Sequence, residues 1–436
     1  MIGGTLLAGK PAYSQDGGNV LYLTLDQALE IALSENPTIR IANEEITKKE
    51  YAKQGSYAQL FPQIDLTGSY QRTIDKQTMY MDVEGMSGGL KVGRDNTYMG
   101  GVTAAMPIIS PALWKSLKIS GMDVELAVET ARSSKIEMVE QVKNAFYTVL
   151  LAEDARDVFQ EAYDNAMRNY KDIELKYGQG QVAEYDLIRA DVNVKNAEPN
   201  LYDAENSLIL ANWQLKALLG LDLDREIACT GSLSDYESGM IESYFNTDIS
   251  LDGNSTLRQI DIQQQQLEKN REALRAQYYP TLNLQYSYQW ISMNNNFKVG
   301  HYRWDPYSTL GLSLNIPVFA GGQRKANVRQ AEVNIRQLEY QREDTERNLR
   351  LAAKSSMDRM STCIKQYHAA RAGVQQSEKG YAITMKRYET GEGTMLEIND
   401  SQLQLTQAQL NLNQSIYNYL TAQTALEKTL GKSIEN

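Results

Sequence analysis

Only two cysteines, Cys229 and Cys363, and two histidines, His301 and His368, occur in the 436 residues, and none of the four has metal-ligand spacing. A basic excess is missing too. The chain carries 44 Lys and Arg against 55 Asp and Glu, interspersed, for a formal net charge of −11, which excludes the basic face of a nucleic-acid binder. No apolar run of about 18 residues exists, so a transmembrane helix is not expected. A membrane β-barrel stays open, because its strands give a much weaker hydropathy signal. Phe is scarce, at 6 against 27 Tyr, and tyrosine suits half-buried positions where the hydroxyl stays wet. The start, "MIGGTLLAGKPAYSQ", has small and apolar residues without a basic region, and residues 1–20 read as an export-signal remnant or a disordered N-terminus. With no cysteine nearby, nothing there suggests a lipid anchor.

What is present is alternation. "PTLNLQYSYQW", Pro280 to Trp290, sets Leu282, Leu284, Tyr286, Tyr288 and Trp290 against Thr281, Asn283, Gln285, Ser287 and Gln289. That is a strand with one apolar and one polar face. It has a twin in "PQIDLTGSYQ", Pro62 to Gln71, where Ile64, Leu66 and Tyr70 alternate with polar neighbours. Pro107 in "AAMPIIS" answers Pro317 in "LNIPVFA". "KYGQGQVAEYDL" (Lys176 to Leu187) answers "RYETGEGTMLEI" (Arg387 to Ile398), and "LLGLD" at Leu218 answers "TLGKS" at Thr429. The offsets are 218, 210, 211 and 211 residues, and one offset held over such distances marks a duplication of about 210 residues.

Residues 21–228 therefore read as a first repeat, 229–254 as a connecting equatorial segment and 255–436 as a second repeat. Each repeat runs in the same order. A helix ends in proline, then come a strand, a Gly-rich loop, a second strand, a very long helix, a Gly turn and a returning helix. Strands are expected at about 62–72 and 96–107, then 280–290 and 307–317, with exposed hairpin loops between them near 72–95 and 291–304. The long helices, about 113–177 and 323–388, contain no proline. Roughly 65 residues at about 1.5 Å each reach about 100 Å, more than a globular domain of this size needs. Their narrow stripe, Val139, Val142, Phe146, Val149, then Ala155, Phe159, Ala162 and Ala166, indicates coiled-coil-like packing with the other faces wet. The returning helices span about 185–219 and 397–430, and Pro199 predicts a kink or local break in the first.

Strands of about 10 residues match the length of a tilted membrane-spanning strand. In lipid every backbone N–H and C=O must be paired, so only a closed barrel is tolerated. Four strands cannot close one, since the smallest barrels use about eight. Either several chains pool their strands, or the four make a small soluble sheet attached to helices. Tyr70, Tyr98, Tyr288, Trp290, Tyr302, Trp304 and Tyr307, near strand ends and loops, fit an interfacial aromatic girdle. Duplicated hairpins with a polar face on every strand favour the pooled barrel over a soluble aromatic core.

Here the pattern resembles a known family, the TolC-like outer-membrane efflux proteins. The resemblance covers nearly the whole chain. It rests on "LTLDQALEIALSENPTIRIA", with Leu25, Ala28, Leu29, Ala32, Asn36, Pro37 and Ala42 at the family's positions, on "LFPQIDLTGSY", and on the two turns "KYGQGQVAEYDL" and "RYETGEGTMLEI". It implies a mixed α/β membrane protein and a homotrimer in which four strands per chain build a 12-stranded β-barrel in the outer membrane. A long α-helical coiled-coil tunnel continues the barrel across the periplasm. It further implies a passive exit duct for a tripartite efflux pump or type I secretion system, docking onto a periplasmic adaptor and an inner-membrane pump or ATP-driven exporter. A soluble periplasmic coiled-coil scaffold is the alternative from another class.

No catalytic constellation emerges, the GxGxxG-like spacings lie in turns between helices, and no cofactor or metal is implied. The 15 Met are dispersed and make no relay. Glu397 and Asp400, three apart, share one face of the returning helix just past the turn. By themselves they read as a solvated first turn at the positive end of a helix dipole. The resemblance instead places them in the acidic ring of the periplasmic aperture. Asp186 and Tyr388 match positions the family uses to link helices at the closed mouth. The basic partner expected in the second tip is Gly393 here, which shifts that role to a neighbour such as Arg387 or Arg189. The tips around Gly178, Gly180, Gly391 and Gly393 are the implied adaptor contact.

Overall fold

The structure, a computed structural model, describes residues 20–83, 86–240 and 250–432. The export-signal reading of residues 1–20 thus lies outside the described residues save the last, and so does the middle of the connecting segment. The chain divides into two compact units, one of residues 1–43, 130–257 and 344–436, the other of 44–129 and 258–343.

The first unit is built on helices. Thr24 starts α1 (Leu25–Glu35) with a capping box, its side chain accepting from the Gln27 amide while Gln27 reaches back to the Thr24 amide. Asn36 ends α1, and Pro37, whose fixed φ suits a first helical position, opens α2 (Pro37–Ala58). The very long α3 (Pro111–Gly178) returns as α4 (Glu184–Leu219), and α6 (Gln323–Glu389) returns as α7 (Met395–Leu430); a shorter α5 (Ser255–Ala276) precedes α6 in sequence. Helix α4 continues through Pro199 without a break. The proline side is exposed, so the carbonyl it leaves without an amide faces water. The predicted stripe is buried in its first half, Val139, Val142, Phe146 and Val149, and only half-buried from Ala155 to Ala166; Val142, Phe146 and Val149 pack with Leu215, Leu219, Met360, Ile416 and Tyr419. Two ion pairs, Lys143–Glu427 and Lys428–Glu140, both 2.7 Å, flank this core between α3 and α7. The connecting segment is more structured than its lack of periodicity suggests. Strand β6 (Ile227–Cys229) pairs in parallel with β1 (Leu21–Leu23), and a 3-10 turn covers Leu233–Gly239.

Two buried asparagines tie this unit together in the same way. The Asn36 amide donates to the Leu218 carbonyl at 2.7 Å and accepts from the Thr38 N–H at 2.7 Å. The Asn254 amide donates to the Thr429 carbonyl at 2.8 Å and accepts from the Leu257 N–H at 3.0 Å. Each fastens the last turn of a returning helix to the first turn of another, and each returning helix ends in a left-handed glycine, Gly220 or Gly431.

The second unit carries an antiparallel four-stranded sheet in the order β2 (Gln63–Arg72), β5 (Asn96–Ile109), β7 (Thr281–Asn294), β8 (Asp305–Asn315). The register aligns one face through Leu66, Val102, Tyr288 and Ser308 and the other through Thr67, Gly101, Gln289 and Tyr307. The apolar alternation of neighbouring strands is therefore in phase. Gly101 permits the close pairing, since a Cβ there would meet the backbone of Tyr288 and Gln289. The register shifts between Pro107 and Ile109, a bulge at the one proline inside β5. The stretch read as a bare loop, about 72–95, contains a hairpin of its own, β3 (Thr78–Val83) with β4 (Met86–Lys91). Strand β8 also begins and ends two residues earlier than the sequence suggests, and β7 runs on to Asn294.

Candidate functional site

The helix tips lie within the first unit. Gly180, at φ 71°, closes α3: its N–H donates to the Tyr177 carbonyl at 2.8 Å and that of Gln181 to Lys176 at 2.9 Å. Gly391, at φ 78°, closes α6 in the same manner, donating to Tyr388 at 3.0 Å, while Glu392 and Gly393 both donate to the Arg387 carbonyl at 2.9 Å. A Cβ on Gly393 would lie 2.9 Å from the Tyr388 amide nitrogen. The turn as folded has no room for the basic side chain that the family resemblance leads one to expect there. Ile173, Ala190, Met395 and Ile398 form a small buried core beneath both tips.

Thr394 caps α7, its hydroxyl accepting from the Glu397 N–H at 3.3 Å while the Glu397 carboxylate accepts from the Thr394 N–H at 3.2 Å. The same carboxylate oxygen stands 3.7 Å from the Arg387 guanidinium, which also donates to the Glu392 carbonyl at 3.2 Å. Asp400, one turn further along, is exposed and makes no ion pair among the described residues. Asp186 sits in the first turn of α4. No hydrogen bond joins it to Tyr388 among the described residues. Lys176 approaches that ring instead, its Nζ 5.2 Å from the Tyr388 ring centre and 2.6 Å from Asp172. Burial first, then the nearby Asp172 and Asp186 charges, raise the Tyr388 hydroxyl pKa against the opposing pull of Lys176. The hydrogen bond to Asp172 raises that of Lys176. The basic partners of the tips are thus Lys176 on Tyr388 and Arg387 on Glu397, while Arg189 makes no ion pair among the described residues.

On the sheet, Tyr70 stacks on Tyr98 at 4.8 Å, and Tyr98 touches Tyr302 at 5.3 Å and Trp304 at 6.4 Å. Tyr288 meets Trp290 edge-on at 4.7 Å. Tyr307 does not belong with them. Paired with Gln289, it lies on the polar face and donates its hydroxyl to the Gln289 side chain. Its odd number, against the even Leu310, Leu312 and Leu314, carries that signal in the sequence. No group of His, Cys, Asp and Glu among the described residues could hold a metal ion. No helix among them is long and apolar enough to cross a membrane.

Comparison with solved structures gives a TM-score of 0.73 against the outer membrane channel CmeC of Campylobacter jejuni, at 18% identity, over 94% of this chain and 86% of that one. The fold is that of an outer-membrane channel subunit. The family model described as outer membrane efflux protein matches residues 28–221 and 247–432, and the chain belongs to that family. Among its relatives, the antibiotic efflux pump outer membrane protein ArpC of Pseudomonas putida is 25% identical over 429 residues, 93% of this chain and 82% of that protein. The outer membrane protein TolC of Escherichia coli is 22% identical over 417 residues, 90% of this chain and 80% of that protein. The protein is an exit duct of the outer membrane that extends into the periplasm, and the soluble-scaffold alternative is set aside.

Proposed function

We propose that three copies of this chain assemble into a closed 12-stranded barrel continued by a helical tunnel, and that the tunnel mouth is ringed by Glu397 and Asp400. The observation that carries this reading is the open sheet. Four strands in one chain leave β2 and β8 as edges, exposed along their whole length. In a bilayer an unpaired edge is not tolerated. The same sheet shows an apolar face, with Leu66 81% and Leu310 73% exposed, that suits lipid, and a polar face of Thr, Ser, Gln and Gly that suits a water-filled lumen. Pairing β8 of one copy with β2 of the next satisfies both edges at once. The Tyr70, Tyr98, Tyr302 and Trp304 cluster then serves as a girdle at one membrane interface. The paired clasps of Asn36 and Asn254, 218 residues apart, support the duplicated origin of the wall.

In this reading the duct performs no chemistry. The tips around Gly178, Gly180, Gly391 and Gly393 receive a periplasmic adaptor, an inner-membrane pump or ATP-driven exporter supplies the energy, and the mouth controls passage by charge. Carboxylates about 6 Å apart repel by roughly 0.7 kcal/mol in water and by more in a narrow pore. The ring therefore draws cations and resists tight closure. Single cysteines at Leu66 and Leu312 in one chain, with Cys229 and Cys363 replaced by Ser, test the assembly. Oxidation of the membrane-inserted protein should give a covalent trimer on denaturing gels. Only monomer, with both thiols reactive to a membrane-permeant reagent, would contradict it.

A further inference from the structure

The mouth just described holds two carboxylates per chain, but the structure does not treat them alike. Glu397 is spoken for within its own tip: its carboxylate accepts from the Thr394 N–H and faces the Arg387 guanidinium at 3.7 Å. Arg387 is held in turn from two directions. Its carbonyl accepts from both Glu392 and Gly393, and its guanidinium donates to the Glu392 carbonyl. The Gly391–Gly393 turn thus brings the last basic residue of α6 back onto the first turn of α7, ten positions on. Asp400 has no such partner among the described residues and is exposed.

We propose that Arg387 sets the charge of the duct's periplasmic mouth. Paired to Glu397 inside each protomer, it cancels one of the two carboxylates and leaves Asp400 as the uncompensated one. This rests on the reading of Glu397 and Asp400 as the aperture. Three protomers then present a ring of three uncompensated carboxylates rather than six. The consequence is a pore less cation-selective, and less self-repelling when narrow, than its count of carboxylates implies. It also gives the exclusion of a side chain at Gly393 a functional reading, because the turn that bars a basic residue there is the one that delivers Arg387 to Glu397.

The test is the reversal potential of the purified trimer in planar bilayers under a KCl gradient, with trimer formation checked for every variant. One unit charge at about 6 Å in water changes local cation concentration about threefold, so Arg387→Gln should raise the K⁺/Cl⁻ permeability ratio by up to about that factor. Arg387→Lys should keep the wild-type value, which separates charge from damage to the turn. Asp400→Asn should lower the ratio. Glu397→Gln should also lower it, by leaving Arg387 bare, and Arg387→Gln with Glu397→Gln should return close to wild type. An Arg387→Gln ratio equal to wild type, with Asp400→Asn still shifted, overturns the role of Arg387 and leaves the aperture standing. No shift in any variant, including Glu397→Gln with Asp400→Asn, overturns the aperture reading and this inference with it.

Discussion

Asn36 and Asn254 make the same two hydrogen bonds at places 218 residues apart, each tying the final carbonyls of a returning helix to the amides of another helix's first turn. Both are buried, at 5% and 4% exposure, so removing either leaves a carbonyl and an amide without partners. Loss of a cap together with an unpaired buried group costs about 1–3 kcal/mol. Asn36→Ala and Asn254→Ala should each lower the unfolding free energy of the purified protein, read from denaturant titration, by that amount. Asn36→Asp keeps the acceptor for Thr38 but sets a carboxylate against the Leu218 carbonyl, and it should be no better than Ala.

The two glycines beside those clasps differ in how closely they are pressed. Gly220 and Gly431 both have positive φ, at 70° and 73°. A Cβ on Gly220 would stand 3.3 Å from the Glu35 carbonyl oxygen, whereas one on Gly431 would run into the carbonyl of Gly253. That carbonyl is also held by Arg132 at 3.1 Å, and the same guanidinium holds the Gly431 carbonyl at 3.2 Å. Gly220→Ala should cost about 1 kcal/mol through backbone strain alone, and Gly431→Ala distinctly more. Thermal melting of the two variants side by side checks the order.

In the second unit Glu272 accepts from Lys115 and Lys269, both at 2.8 Å. These bonds hold its carboxyl pKa at about 2, against 4.5 for the free group. A depressed carboxylate contributes stability above its unfolded pKa and loses it as pH falls through the folded value. The tie between α3 and α5 should therefore weaken progressively from about pH 4.5 toward pH 2. The site is wet, so the effect is a change in local opening rather than loss of the fold. Hydrogen exchange of α5 amides, corrected for intrinsic rates, should show increasing exposure over that window. Glu272→Gln should show the looser level throughout and no such trend.

Ile398 is 1% exposed in the small core beneath the tips, next to Ile173. Truncation to Ala there removes about 2–5 kcal/mol of packing, in a region with few other buried contacts to compensate. Ile398→Ala should loosen the mouth without unfolding the wall. Single-channel recordings should show a larger or noisier conductance with trimer yield retained.

The two-faced strands were legible in the sequence because a period of two needs no knowledge of neighbours. Parity alone also assigns Tyr307 to the polar face, where grouping by aromatic type places it in the girdle. The long helices announced themselves by the lack of proline over about 65 residues. The β3–β4 hairpin did not, because its glycines and mixed polarity carry no alternation, and β1 and β6 are three residues each, too short for any period. Pro199 misled in the other direction: a proline on a wet helix face does not end a helix whose opposite side is packed. At the tips, the spacing of Glu397 and Asp400 was readable, but the pairing of Arg387 with Glu397 depends on how a Gly-rich turn reverses the chain. Residue spacing does not encode that geometry.

The most direct test of the whole account is single-channel recording of the purified protein in planar bilayers. The trimer should give discrete, long-lived conductance steps, with preference for cations reduced by Asp400→Asn. A monomeric, water-soluble protein that inserts into no bilayer and carries no current would contradict it.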